Sequence, residues 1–376
     1  MHELVAVVAR GGDAFVAALQ RAWDAGDAVL PLDPRLPAPA SATLLTALAP
    51  AAMVDPGDGE RRSLAGGVPV DPGDALVVAT SGTTGTPRGA VLTHDAVAAS
   101  AHATSDRLGV DPAVDRWLAC LPLAHVGGLS VVTRALLTGT PVALLDRPDP
   151  AAVEAAARTG GATLVSLVAT ALARTDTSAY RAVVLGGAPP PARLPANVRT
   201  TWGMTETGSG VVYDRRPLDG VELRVEEGEL HVRGPMLARR YRDGGPTIDG
   251  DGWLRTGDAA TIDDAGLLHV VGRMGDVIVT GGEKVWPDPV EAVLRGVGGV
   301  AEAAVAGRPD PEWGSAVVAW VVPDDPTDPP SLEALRTAVK EALAPWAAPR
   351  RLVLVDALPR TALGKVRRRH LPDPPS

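Results

Sequence analysis

Three glycines and five hydroxyl side chains take eight of the ten positions from Thr80 to Gly89, TSGTTGTPRG, directly after the apolar run Ala75 to Ala79. A strand that empties into such a loop presents backbone N–H groups and hydroxyls with no bulk in the way, which suits a polyphosphate. The pattern is neither GxxxxGK followed by Ser or Thr nor GxGxxG, so a P-loop kinase or a Rossmann dehydrogenase is disfavoured. A surface turn that binds nothing has the same composition, and the remainder of the chain decides between the two.

A chain of 376 residues with 45% hydrophobic content has room for about two or three domains and a sizeable core. Its net charge of −9 speaks against nucleic acid or an anionic membrane surface as a general partner. The single cysteine, Cys120, excludes an intramolecular disulfide and a cysteine-rich metal site, and the cytoplasm is the expected compartment. The start, MHELVAVVAR, lacks the features of a secretory signal, and no apolar run reaches bilayer-spanning length, so no integral membrane contact is expected.

Short β-branched runs (Ala75 to Ala79, Pro141 to Leu145, Thr163 to Val168, Arg181 to Leu185) alternate with Ala-rich stretches of helical spacing such as Asp149 to Arg158, which reads as α/β. From Val221 to Val271 polar and apolar residues alternate around glycine turns, predicting antiparallel sheet. A smaller unit follows Gly272, with a helix at Pro287 to Arg295, a strand at Ser315 to Val322, a loop at Pro323 to Pro330 and a helix from Ser331 to Leu343. The boundary is expected between 1–274 and 275–376, where Gly275 tolerates large backbone rotation or is simply a turn glycine.

Taken in order, TSGTTGTPRG, LPLAHVGG at 121 to 128, GGAP at 186 to 189, TWGMTET at 201 to 207, GWLRTGD at 252 to 258, GRMGDVIVTGGEKVWP at 272 to 287 and PRTALGKVRR at 359 to 368 resemble the motif series of the adenylate-forming superfamily of acyl-CoA synthetases, adenylation domains and luciferases. The resemblance implies a large N-terminal domain of mixed sheets and helices with a β-rich subdomain, and a small mobile α+β C-terminal domain. It also implies a reaction of a carboxylate with ATP and Mg²⁺ to an acyl-adenylate, then transfer to a thiol such as coenzyme A. The compact N-terminal part, LPLAHVGGL and GGEKVWPDPVE resemble the small o-succinylbenzoate–CoA ligases of menaquinone synthesis. A fatty-acyl or other aryl-CoA ligase, or a stand-alone adenylation domain that loads a carrier protein, carries the same motifs. The partners are then small molecules, and the oligomeric state stays open, a homodimer included.

By this resemblance Thr80, Ser81, Gly82, Thr83, Thr84, Gly85 and Arg88 cradle phosphates, with Arg88 standing where the family usually has Lys. Gly186, Gly187 and Ala188 form the adenine-side turn. Trp202 offers a flat face for the base or is plain core, with Gly203 next to it. Thr205 and Glu206 meet the magnesium–phosphate group, a single carboxylate being able to share Mg²⁺ with phosphates. Asp258 accepts from the ribose hydroxyls, with Arg273 at the nucleotide. Lys365 is the lysine that swings in for adenylation, and Gly281 and Gly282 line a pantetheine channel. His125 belongs to the acyl pocket or is a core histidine bonded to backbone. Arg134, in an apolar helix-like run nine residues after His125, pairs with a second substrate carboxylate or snorkels to solvent.

Overall fold

The computed structural model describes residues 2–80, 87–146, 149–191, 193–360 and 366–374. The chain divides into two units, one of residues 1–224 with 231–255 and the other of residues 225–230 with 256–376.

Continuous apolar runs in the first unit become buried strands because both faces are covered. Leu4–Val8 and Ala28–Leu32 are buried along their whole length, pair in parallel and join Asp74–Thr80 in a seven-stranded sheet. Arg88–Thr93 and then Arg240–Tyr241 extend it antiparallel. In a second seven-stranded sheet Trp117–Ala119, Val142–Leu144, Leu164–Leu167, Ala182–Leu185 and Val198–Gly203 run parallel, and Gly210–Tyr213 turns back along Val198–Gly203. Of these, Asp74–Thr80, Val142–Leu144, Leu164–Leu167 and Ala182–Leu185 are the strands that the β-branched runs predict. The predicted helix from Asp149 spans Pro150–Arg158, started by the Asp149 carboxylate, which accepts the Ala152 N–H at 2.7 Å.

In the second unit Val300–Asp310 and Gly314–Pro323 form a long antiparallel pair, with Arg351–Leu354 parallel to the latter. Helices Pro287–Leu294 and Leu332–Ala342 cover one face through Val290, Leu294, Leu335 and Val339, packed against Val305, Val317, Ala319 and Val321. Trp320 and Val318 alternate to the other face and meet Leu358 and Leu371. The region from Val221 to Val271 carries strands as predicted, including Leu254–Ile262, whose residues 258–262 pair antiparallel with Leu268–Arg273. Among the described residues no helix is long and apolar enough to cross a membrane.

Candidate active site

Parallel strands end at a common edge, and in open α/β sheets that carboxyl edge is where ligands bind. The register Leu185↔Thr200 sets the turn Gly186, Gly187, Ala188 beside Thr201, Trp202 and Gly203 at this edge. Backbone dictates the glycines. Gly187 has φ +87°, and a Cβ on Gly186 would sit 2.9 Å from Thr201 Oγ1. Trp202 is half-buried opposite Val212. A Cβ on Gly203 would lie 2.1 Å from the Ser209 carbonyl oxygen and 2.7 Å from Gly210 Cα, so no side chain fits. Gly203→Ala is expected to lower stability by about 1–3 kcal/mol or more through overpacking against backbone; an unchanged melting temperature would contradict this geometry.

The next residues fold into a short 3₁₀ turn, Thr205–Thr207. Thr207 Oγ1 accepts the Met204 N–H at 2.9 Å and lies 2.7 Å from the Ser209 carbonyl, closing the turn on itself. That places Thr205 at the turn's start and buries Glu206. Glu206 Oε1 accepts the Tyr241 hydroxyl at 2.9 Å, and no hydrogen bond within the described residues engages its other oxygen. Burial, reinforced by the Glu206 carboxylate, pushes the Tyr241 phenol well above its usual range, so it stays a donor.

Thr80 pairs with Arg88 at the open end of the antiparallel strands Asp74–Thr80 and Arg88–Thr93, so among the described residues a strand, and not a helix, follows the glycine–threonine run. Ser81, Gly82, Thr83, Thr84 and Gly85 lie outside the described residues. The Arg88 guanidinium is committed: Nε and Nη2 donate to the Asp243 carboxylate at 2.9 and 3.2 Å, and its plane lies 3.6 Å from the centre of the Tyr241 ring.

His125 ends an extended segment just before helix Val126–Thr138. Its Nε2 is buried, has no hydrogen-bond partner among the described residues and faces Asp33 at 3.8 Å, while the side chain as a whole is half-buried. Burial pulls its basicity down, with Asp33 partly restoring it and Arg35 opposing. Asp33 itself is held ionised by the Arg35 guanidinium at 2.9 and 2.7 Å.

Arg134 is 2% exposed, which removes the snorkelling alternative. Nη2 reaches Ser209 Oγ at 3.3 Å and the guanidinium lies 4.9 Å from the Trp117 ring, while Nε and Nη1 have no hydrogen-bond partner among the described residues. Burial lowers the arginine's basicity, with the Tyr213 phenol opposing in part. Arg134 lines a small pocket with Leu76, Leu92, Val97, Val126 and Gly208. A buried, unneutralised guanidinium on an apolar pocket suits an anionic group on a mostly apolar ligand.

In the second unit Asp258 and Arg273 stand opposite each other, with Arg273 Nε 2.9 Å from Asp258 Oδ1 and Nη1 donating to the Thr256 carbonyl at 2.8 Å. A carboxylate has further lone pairs, so this pair does not use up Asp258. Gly281 and Gly282, φ +58° and +87°, form the two-residue turn between Ile278–Thr280 and Glu283–Val285. Positive φ at both positions is what such hairpins demand, and a Cβ on Gly281 would meet the Trp313 ring at 2.7 Å. The turn alone therefore accounts for both glycines. Lys365 lies outside the described residues. On either side of its segment Arg360 bridges Val366 and pairs with Glu302 at 2.8 Å. Arg368 binds Asp276 at 3.0 Å, Glu291 at 2.9 Å and Asp288.

Among the described residues no group of three acids, histidines or cysteines gathers to hold a metal. Glu206 offers one fixed and one uncommitted oxygen, which fits Mg²⁺ arriving on a nucleotide, since that ion takes one or two carboxylates and fills its shell with phosphates and water.

Four residues carry site geometry that sequence reasoning missed: Asp33, Ser209, Tyr241 and Asp243. Nothing in their local sequence marks them, because each acts across a fold contact with a residue distant in the chain.

The AMP-binding enzyme family matches residues 56–242, and the AMP-binding enzyme C-terminal domain matches residues 289–365. The chain is 42% identical over 333 residues to a probable 2-succinylbenzoate–CoA ligase of Mycobacterium tuberculosis, covering 80% of this chain and 85% of that relative. It is 36% identical over 335 residues to a 2-succinylbenzoate–CoA ligase of Bacillus cytotoxicus, covering 78% and 69%. Among solved structures it resembles o-succinylbenzoate CoA synthetase (MenE) from Bacillus subtilis in complex with the acyl-adenylate intermediate OSB-AMP, with TM-score 0.88, 28% identity and coverage of 99% and 88%. With the ordered motifs, the strand-edge geometry and these matches together, the chain belongs to the AMP-binding enzyme family, the adenylate-forming superfamily.

Proposed function

We propose that this protein is an AMP-forming acid–thiol ligase that activates 2-succinylbenzoate with ATP and passes the acyl group to coenzyme A, in the cytoplasm. The observation that carries the acid's identity is Arg134. Its buried guanidinium, two of whose nitrogens have no partner among the described residues, lines a mostly apolar pocket that also presents Ser100, Ser130 and Thr133, which supports a substrate carboxylate besides the one that reacts. The names of the two relatives and the bound intermediate in the Bacillus subtilis protein support the same acid.

In the first step a substrate carboxylate oxygen attacks the α-phosphorus of ATP, the bond from that phosphorus to the bridging oxygen breaks, and pyrophosphate leaves. In the second a thiol sulfur attacks the acyl carbon, its proton is lost, and AMP departs. Magnesium, when bound, neutralises triphosphate charge. Gly186, Gly187, Ala188, Trp202 and Gly203 shape the base site, and Thr80 to Gly85 cradle the phosphates. Thr205 and Glu206 take the metal-bearing end, and Asp258, steadied by Arg273, takes the ribose. His125, its basicity lowered in a half-buried place, packs against the acyl group. Lys365 brings a point charge to the carboxylate and α-phosphate as they meet. The thiol's approach past Gly281 and Gly282 is assigned on the family resemblance, since the hairpin turn already explains both glycines.

Adenylation and thiol attack need different groups at one carbonyl, and we assign the change to rotation of residues 275–376 against 1–274 about Gly275. A Cβ at 275 would meet nothing within 4 Å and φ is not in the left-handed region. Gly275→Asp is therefore expected to change stability by less than about 0.5 kcal/mol and to keep both half-reactions; a clear drop in melting temperature would contradict it.

Pyrophosphate release from purified protein against a panel of acids tests the whole reading. A strong response to 2-succinylbenzoate with CoA as acceptor supports it. A response confined to monocarboxylic acids, or transfer to a carrier protein and not to CoA, overturns it in favour of the corresponding alternative.

A further inference from the structure

Arg88 opens the strand Arg88–Thr93 at the end of the glycine–threonine hairpin, the place from which a cation would reach a phosphate. Its surroundings give it other work. The edge strand pairs Tyr241 with Ala90, and side chains alternate along a strand, so Arg88 and Tyr241 are diagonal neighbours on one face. The turn after Tyr241 is closed by the Gly245 carbonyl accepting the Tyr241 N–H at 2.8 Å and by Gly245 N–H donating to Asp243 Oδ1 at 2.9 Å, which fixes the Asp243 carboxylate. A Cβ at Gly245 would come within 2.5 Å of Arg88 Nη2, so glycine there leaves space for the guanidinium. Arg242 anchors the same turn by donating to the Leu48 carbonyl at 3.1 Å and the Pro69 carbonyl at 2.8 Å. The result is a continuous chain: Asp243 clamps Arg88, the Arg88 guanidinium carbon lies 3.6 Å from the centre of the Tyr241 ring, and the Tyr241 hydroxyl donates to Glu206.

We propose that Arg88 is a positioning residue for Glu206, acting through Tyr241 under the hold of Asp243, and that it does not bind phosphate directly. This rests on the reading that Glu206 meets the magnesium–triphosphate. A planar guanidinium is needed both for the bidentate hold on Asp243 and for stacking on the ring, and a lysine supplies neither, which accounts for Arg where the family usually has Lys. The chain holds one Glu206 oxygen on Tyr241 and leaves the other to the metal. Partners of this kind typically change metal affinity by 10–100-fold when removed.

Calorimetric binding of ATP in magnesium, and of ATP in EDTA, to the full-length protein separates the two roles of Arg88. Arg88→Ala, Asp243→Ala and Tyr241→Phe are each expected to weaken binding in magnesium by roughly 10–100-fold while leaving binding in EDTA within about twofold. The opposite result is distinct: if Arg88 grips phosphate, Arg88→Ala weakens binding in EDTA as well, and Asp243→Ala, by releasing the arginine, tightens it. That outcome overturns the proposal. Tyr241→Phe keeps the ring and its stack, so it remains readable if the other variants fold poorly, and unchanged magnesium-dependent binding in that variant also overturns it. Wild-type protein that binds no ATP under either condition removes the functional reading on which the inference stands.

Discussion

Replacing Arg134 with Met is expected to raise the stability of the unliganded protein and to lower its activity toward 2-succinylbenzoate sharply. The sign of the first effect follows from magnitudes. Burying an ion costs several kcal/mol after relaxation, and Arg134 recovers little of it. One hydrogen bond at 3.3 Å to a neutral hydroxyl and a ring at 4.9 Å contribute about 1 kcal/mol each. Two nitrogens contribute nothing. Methionine has comparable length and suits the apolar lining, and exchanges of buried ions for apolar residues elsewhere are neutral or stabilising by about 1–4 kcal/mol. The second effect is large because a substrate carboxylate loses a desolvated partner, a loss of about 2–5 kcal/mol. That corresponds to a fall of roughly 30-fold to several thousand-fold in kcat/KM for the dicarboxylic acid. Thermal melting without ligand and steady-state kinetics on 2-succinylbenzoate and a monocarboxylic aryl acid measure both. A variant that melts lower and retains kcat/KM would show that Arg134 is a structural residue.

Lys365→Ala is expected to lower the rate of pyrophosphate formation by about 10²–10³-fold, the size of effect seen when one preorganised charge or donor is removed from a transition state. Thiol attack on a supplied acyl-adenylate should proceed at close to the wild-type rate, because bond formation is then at the acyl carbon and the lysine is assigned to bringing the carboxylate and the α-phosphorus together. Pre-formed 2-succinylbenzoyl-adenylate with CoA, followed by AMP release, separates the half-reactions. Equal loss in both would remove the lysine's assignment to adenylation. The anchoring around its segment supports the separation: Arg360 with Glu302 and Arg368 with Asp276, Asp288 and Glu291 fix the flanking chain without the lysine. Glu291 is buried, and burial raises its pKa against the pull of Arg368.

Much of the architecture is legible from local pattern. The β-branched runs at 75–79, 163–168 and 181–185 predict their strands to within a residue or two, and Asp149 and Ser331 announce their helices because a side-chain oxygen at the N-cap satisfies an otherwise unpaired N–H. Gly186, Gly187 and Gly203 are legible as glycines with a purpose, and the fold supplies it: the Thr201 hydroxyl crowds Gly186, Gly187 takes a left-handed backbone, and backbone closely approaches Gly203. What the pattern leaves open is the direction of side chains. Arg134 reads equally as a buried or a snorkelling cation until helix Val126–Thr138 is packed and its charge has no route to water. His125 likewise depends on Asp33, ninety-two positions earlier.

Sequence alone determined the family, the order of the motifs and the local geometry of strands, caps and glycine turns, because these depend on residues within a few positions of one another. Tertiary structure alone decided which charges are used and which stand ready. Arg88 is held by Asp243 and Glu206 by Tyr241, whereas Arg134 keeps two nitrogens without a partner among the described residues. The physical reason is that burial and pairing set the free energy of a charge, and both are properties of chain segments brought together from far apart.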